Sequence, residues 1–157
     1  GNLYSLAIGG IRVQVEDEDA AAARELLATP PPSAPAPRPE KINLEEKFGR
    51  FTAHWSPHIV AELNGQHVKL VKFQGPVVWH HHAEEDELFL VVRGSFDMEF
   101  RDRTVALSAG ELLVVPRGVE HRPVAAAEVW VLLFEPAATV NTGSNPGDKT
   151  VARPAWI

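Results

Sequence analysis

The chain has 157 residues, 45% of them hydrophobic, with no cysteine and a formal charge of −6, which gives room for one ordinary domain plus an appendage and leaves two full domains tight. The negative balance argues against a nucleic-acid partner, since a phosphate backbone needs clustered Lys and Arg to release its counterions. The want of cysteine excludes disulfides, thiolate metal sites and a Cys nucleophile. No apolar run approaches the roughly 18 residues that cross a bilayer, and the N-terminus lacks the basic-then-apolar order of a secretory leader, so no membrane partner and a cytoplasmic location are expected.

In chain order, residues 11–15, "IRVQV", alternate apolar with polar as a half-buried strand does. "EDED" then leads into the Ala/Leu-rich helical run "AAAARELLA", with Asp17 or Asp19 placed to cap it and negative charge at the end that suits the helix dipole. These residues predict a strand-helix unit over 1–29, too small to bury a core of its own. Prolines 30, 31, 32, 35, 37 and 39 make 30–40 a semi-rigid spacer.

From residue 41 to 157 the texture is that of a second, larger domain. "NLEEKF" sets Asn43 and Glu46 at capping-box spacing and predicts a short helix. Only short strand-like runs follow: "HIVAEL", "QHVKLVKF", "VVWHHH", "ELFLVVR", "SFDMEF", "TVALS", "ELLVVP", "HRPVA" and "EVWVLLF". Asn64-Gly65 is a two-residue hairpin signal. Strands spaced by roughly 8–12 residues with no helical period between them predict a mainly β fold, an antiparallel sandwich or closed barrel.

The chemistry concentrates in "WHHHAEEDELFLVVRG", residues 79–94. On a strand, side chains two apart share a face, so His80 and His82 point one way and Trp79 and His81 the other. Glu87 opens the next run. Antiparallel neighbours would bring these three donors together within the roughly 2.0–2.2 Å bonds of a divalent cation. His121, after the Pro116/Gly118 corner of "GELLVVPRGVEHRP", is the candidate fourth ligand. A histidine cluster beside acids is by default a solvated surface, but this combination puts metal binding ahead. His54, His58 and His67 sit in no such constellation.

These residues carry a resemblance. "HHHAEEDELFLVVRG" resembles the first cupin motif through His80, His82, Glu87 and Gly94, and "GELLVVPRGVEH" the second through Gly110, Pro116, Gly118 and His121. Two small departures leave the ligands untouched: four rather than five residues separate Gly75 from His80, and Ala125 replaces the usual asparagine. The resemblance spans about residues 42–157, whose tail is similar to those of small single-domain cupins described as mannose-6-phosphate isomerase-like. It implies an antiparallel jelly-roll β-barrel, one metal ion on His80, His82, Glu87 and His121, and a homodimer. Residues 1–28 resemble, more weakly, part of a small bacterial signal-transducing domain, which implies a fusion.

Imidazole and carboxylate suit zinc, iron, nickel, copper and, with enough oxygen ligands, manganese. Fold alone does not select a reaction. Tyr4 is the only tyrosine and lies outside the barrel, which disfavours an epimerase that uses a barrel Tyr as acid. Three readings are expected to compete. One is an enzyme, either an isomerase of a sugar or related hydroxy-carbonyl compound, in which Glu87 ligates or shuttles a proton as the catalytic residue, or an iron-dependent dioxygenase. The second is a module that binds or senses a small oxygen-bearing metabolite. The third is an assembly unit with a structural metal. Lys69 and Lys72, three apart on one run, face opposite sides, so at most one looks inward and phosphate recognition is weakly supported. The pocket is expected to be apolar, with Phe73, Phe89, Met98, Trp130 and Phe134 mostly core.

Overall fold

In the computed structural model the chain forms two compact units, Gly1–Glu40 and Lys41–Ile157; described are the backbone of residues 3–8 and 11–16, and residues 40–157. In the first unit, strand β1 (Leu3–Ile8) pairs antiparallel with β2 (Ile11–Glu16), with Leu6 opposite Val13. The strand expected at 11–15 is therefore one arm of a hairpin. Its other arm was not expected, although the intervening Gly9-Gly10 pair is a hairpin signal in its own right. The helix predicted from "AAAARELLA", and the proline spacer apart from Glu40, lie outside the described residues.

The second unit begins with helix α1 (Leu44–Phe48). Asn43 caps it from extended backbone, its side chain accepting from the Glu46 N–H at 3.2 Å, as the spacing predicts. Phe48, fully buried, is the reason the helix docks: its ring stacks on Trp130 at 4.6 Å, within a cluster shared with Phe51, Val60 and Leu70. Burying such a ring is worth roughly 2–3 kcal/mol.

Eight strands follow: β3 (His58–Leu63), β4 (Gln66–Pro76), β5 (Glu87–Arg93), β6 (Ser95–Phe100), β7 (Thr104–Ser108), β8 (Leu112–Val115), β9 (His121–Pro136) and β10 (Ala155–Trp156). The order is β10-β3-β4-β9-β5-β8, with β6 on β9 and β7 on β6. All pairings are antiparallel except that of β10 with β3. The sheet is not closed by hydrogen bonds, and the architecture is a cupin-like jelly roll. Asn64 and Gly65 take φ of 51° and 74° between β3 and β4, the two positive values that a tight hairpin turn needs. Gly94 (φ 83°) joins β5 to β6, where a Cβ would lie 3.1 Å from the Glu128 carbonyl oxygen.

Three predicted strands differ from what forms. "HRPVA" and "EVWVLLF" are halves of the single 16-residue β9; at the alanines between them the pairing with β4 shifts register, from Val129 opposite Phe73 to Ala125 opposite Gly75. Its first half pairs with β6 and the end of β4, its second with β4 and β5. "VVWHHH" is not a strand, and only His80 makes a bridge, to His121. Phe73, Phe89 and Met98 lie in the inner core, Trp130 is buried on the opposite face with Phe48, and Phe134 is half-buried on the outside. Among the described residues no helix is long and apolar enough to cross a membrane.

Candidate metal centre

His121 opens β9, and its main chain exchanges two hydrogen bonds with His80: the His80 N–H donates to the His121 carbonyl at 3.1 Å and the His121 N–H to the His80 carbonyl at 2.9 Å. Residues paired this way in an antiparallel bridge present their side chains on one face, and the two rings are 4.4 Å apart. His82, two residues on, adds a third ring, 5.3 Å from His80 and 6.0 Å from His121. Glu87, the first residue of β5, brings Oε2 to 3.2 Å from His82 Nε2 and 3.5 Å from His121 Nε2. The four side chains are 0–5% exposed, and one donor atom from each falls within 4.8 Å of the others. Ligands bound to one cation at about 2.0–2.2 Å stand roughly 3–4.4 Å apart, a spacing that the four donors approach.

The donor chemistry fits as well. The Nδ1 atoms of His80 and His121 each lie 2.9 Å from a carbonyl oxygen two residues upstream, of Val78 and Val119 respectively. A carbonyl only accepts, so the proton sits on Nδ1 and Nε2 keeps its lone pair, the arrangement that orients a ligating imidazole. His82 Nε2, His121 Nε2 and Glu87 Oε2 are buried and make no hydrogen bond, a cost that a native interior leaves unmet only for a reason. Burial, then the neighbouring His121, lowers the His80 pKa to about 4, which keeps the ring neutral near pH 7. For Glu87 burial pushes the pKa up, but His121 and His82 hold it well below the usual carboxylate range, so it is available as an anion.

His81 turns away, its Nδ1 3.0 Å from Ser144 Oγ. His54 meets Glu128, His58 stacks on Phe51 and His67 approaches Glu62, so none of these joins the cluster. The segment after β9 braces the histidines from behind. Ser144 N–H donates to the His81 carbonyl at 3.0 Å, and Gly143 fits so closely that a Cβ would stand 2.2 Å from that oxygen.

Sequence reasoning missed a buried ion pair beside this centre. Lys69 points inward on β4, as Val71 and Phe73 do, and its Nζ reaches Glu135 Oε1 at 2.7 Å and the Thr139 carbonyl at 3.1 Å; both side chains are 1% exposed. Burial and then the Glu87 charge push the Glu135 pKa up. The available signal was a Lys and a Glu standing on the inner-facing parity of two apolar strands. Lys72, on the other face, is also buried and donates to the Phe51 carbonyl at 2.9 Å.

A cavity of about 30 Å³ adjoins the centre, bounded by His80, Glu87, Trp55, Phe73, Leu133 and Asn141 among others. Trp55 has φ 58°, a left-handed conformation that a bulky residue adopts at a cost of about 1–3 kcal/mol. Its ring stacks on Phe73 at 4.4 Å, Nε1 donates to the Gln74 carbonyl at 2.9 Å, and its N–H donates to the Lys72 carbonyl at 2.8 Å. The Asn141 amide makes three hydrogen bonds, donating to the carbonyls of Trp55 (3.3 Å) and Lys149 (2.8 Å) and accepting from Val151 N–H (2.8 Å). Neither residue stood out in the sequence, because cavity walls built from loops carry no periodic signal.

Residues 67–134 match the family described as "Cupin domain". The chain is 41% identical over 80 residues to the uncharacterized protein YdbB of Bacillus subtilis (strain 168), a match covering 50% of this chain and spanning 65% of that protein's length. It is 47% identical to a cupin-2 domain containing protein from Shewanella frigidimarina NCIMB 400 of known structure, covering 60% of this chain and 93% of that one with a TM-score of 0.60. The structure of NMB1881 from Neisseria meningitidis matches at 31% identity, covering 62% of this chain and all of that one, with a TM-score of 0.58.

Proposed function

The chain belongs to the cupin family, and on that premise we propose that it holds one divalent transition-metal ion on His80, His82, Glu87 and His121 and presents to it a small oxygen-bearing metabolite. The observation that carries this reading is the convergence of four buried donors, three of whose atoms have no other partner. When bound, such a cation polarises a carbonyl or hydroxyl oxygen and acidifies water. His80 and His121 bind it through a fixed tautomer, Glu87 supplies the negative charge, and Trp55 and Phe73 keep bulk water from the cavity side.

The cavity wall favours binding or sensing over isomerisation. Among its lining residues the titratable groups are His80 and Glu87, both ligands in this reading, so no separate acid or base stands beside the cation. No Lys or Arg lines it either, and Lys69 and Lys72 are both engaged elsewhere; a phosphorylated sugar would meet apolar walls without a cationic partner. The fitting ligand is a small molecule with two oxygens for the metal and an apolar body, such as a short 2-oxo or 2-hydroxy carboxylate. The test is elemental analysis of the purified protein followed by titration of its cobalt-loaded form with pyruvate, lactate and mannose 6-phosphate. One metal per chain with a visible-spectrum change for the carboxylates supports the reading. A response to the sugar phosphate alone, with its turnover, favours the isomerase in which Glu87 shuttles a proton.

We also propose a homodimer through the outer face of β8 and β5. The register sets Val114, Leu88 and Phe134 in one row and Leu112, Leu90 and Leu132 in the next, with Leu112 58% and Val114 48% exposed, an apolar surface of the kind that marks an interface. Sedimentation of the parent against Val114→Glu tests it: a dimer converted to monomer supports it, and a monomeric parent overturns it.

A further inference from the structure

Lys69 and Glu135 take no part in the donor set, yet they occupy the most buried ionic contact among the described residues. A buried pair of this kind gives little net stability, because desolvating both charges offsets most of their attraction, and apolar replacements of similar volume are often as stable or more so. Its place in the fold points to a different role. On β9, Phe134 pairs with Leu88 of β5, and the next step of that antiparallel register sets Glu135 beside Glu87, both facing inward at the same end of the sheet. Glu135 Oε1 is taken by Lys69, while Oε2 is buried without a hydrogen-bond partner. The second donor contact of Lys69, to the Thr139 carbonyl, ties in the segment whose Gly143 and Ser144 press on His81 and whose glycine leaves the least room beside His82 Nδ1.

Resting on the metal-binding reading above, we propose that Lys69 and Glu135 are a positioning pair for the centre. Lys69 fixes the Glu135 side chain, Glu135 confines the Glu87 carboxylate to the orientation that turns Oε2 toward His82 and His121, and the Thr139 contact locks the brace behind His82. Lys69 also supplies the positive charge that lets two carboxylates stand side by side in an apolar interior. Partners of this kind, one step removed from the metal, typically change metal affinity by about 10–100-fold.

The test uses the full chain as parent, Lys69→Met/Glu135→Leu and Lys69→Gln. Each is stripped of metal, checked for folding by thermal unfolding, and titrated with Co²⁺ and Zn²⁺ against a chromogenic chelator. The double variant replaces the ion pair with apolar groups. It is expected to melt within a few degrees of the metal-free parent, to bind Zn²⁺ about 10–100-fold more weakly, and to show an altered cobalt visible spectrum because the oxygen ligand is no longer held. Normal affinity and an unchanged cobalt spectrum in the folded double variant would mean that the pair is structural only, overturning the proposal. If the double variant does not fold, Lys69→Gln decides, since it removes the charge at nearly constant volume: weakened binding supports the proposal and parental binding overturns it. A parent that binds no metal overturns the metal-binding reading and this inference together, whereas a parent that binds metal no better than its variants overturns only this inference.

Discussion

The two faces of β4 treat the same residue type in two ways. Lys72 lies on the outer face, under α1, with Nζ on the Phe51 carbonyl and 5.0 Å from the centre of the Trp130 ring. Its charge is met by that carbonyl, by aromatic faces and, at 3.9 Å, by the exposed Glu128 carboxylate at the edge of an apolar cluster. Lys69, three residues earlier, lies on the inner face, and its charge is met by the Glu135 carboxyl group next to a second acid, Glu87, and three imidazoles. The outer face is thus built to hold the helix on the sheet, and the inner end to hold charge in a fixed arrangement. Stability and metal binding should therefore separate when residues of the two faces are changed.

The largest effect is expected from His121→Ala, which should abolish stoichiometric metal by elemental analysis, with His80→Ala behaving alike. Phe48→Ala should cost about 3–5 kcal/mol in unfolding free energy while the folded fraction keeps its metal, a separation read by denaturant titration beside metal content. A pH series on the chelated protein comes next. His80 titrates at about 4 in the fold and near 6.5 when unfolded, so the unfolded chain binds the proton first. Stability is then full above pH 6.5 and falls progressively as the pH is lowered toward 4, by about 3 kcal/mol from this group. Metal-loaded protein should lose its ion over the acid side of the same range, because a ligating imidazole must be neutral. Lys72→Met is expected to change stability by only about 1–2 kcal/mol and metal affinity not at all. His81→Ala should leave metal content at the parental level, since its ring faces Ser144; loss equal to that of His80→Ala would contradict the placement of these side chains.

The same contrast explains what the sequence made legible. Strand boundaries from β3 to β8, the Asn43 cap and the Asn64-Gly65 hairpin follow from local chemistry, and each lies close to where the residues predict. The convergence of His80, His82, Glu87 and His121 was readable for a mixed reason. Two of the donors share a face by spacing, but the one that unites them is the His80–His121 bridge, a long-range pairing with no local trace. The expected strand at "VVWHHH" was the wrong vehicle for the right orientation. Trp55 and Asn141 were invisible because loops set their positions, and the Lys69–Glu135 pair was hidden because charge on an apolar strand reads at first as an outward-facing residue.

The most direct test of the central claim is a crystal structure of the purified protein with an anomalous-difference map collected at the absorption edge of the metal found by elemental analysis. The account predicts a single peak about 2.0–2.3 Å from the Nε2 atoms of His80, His82 and His121 and from a Glu87 carboxylate oxygen. A map with the metal bound elsewhere, or with those four side chains turned apart, would contradict it.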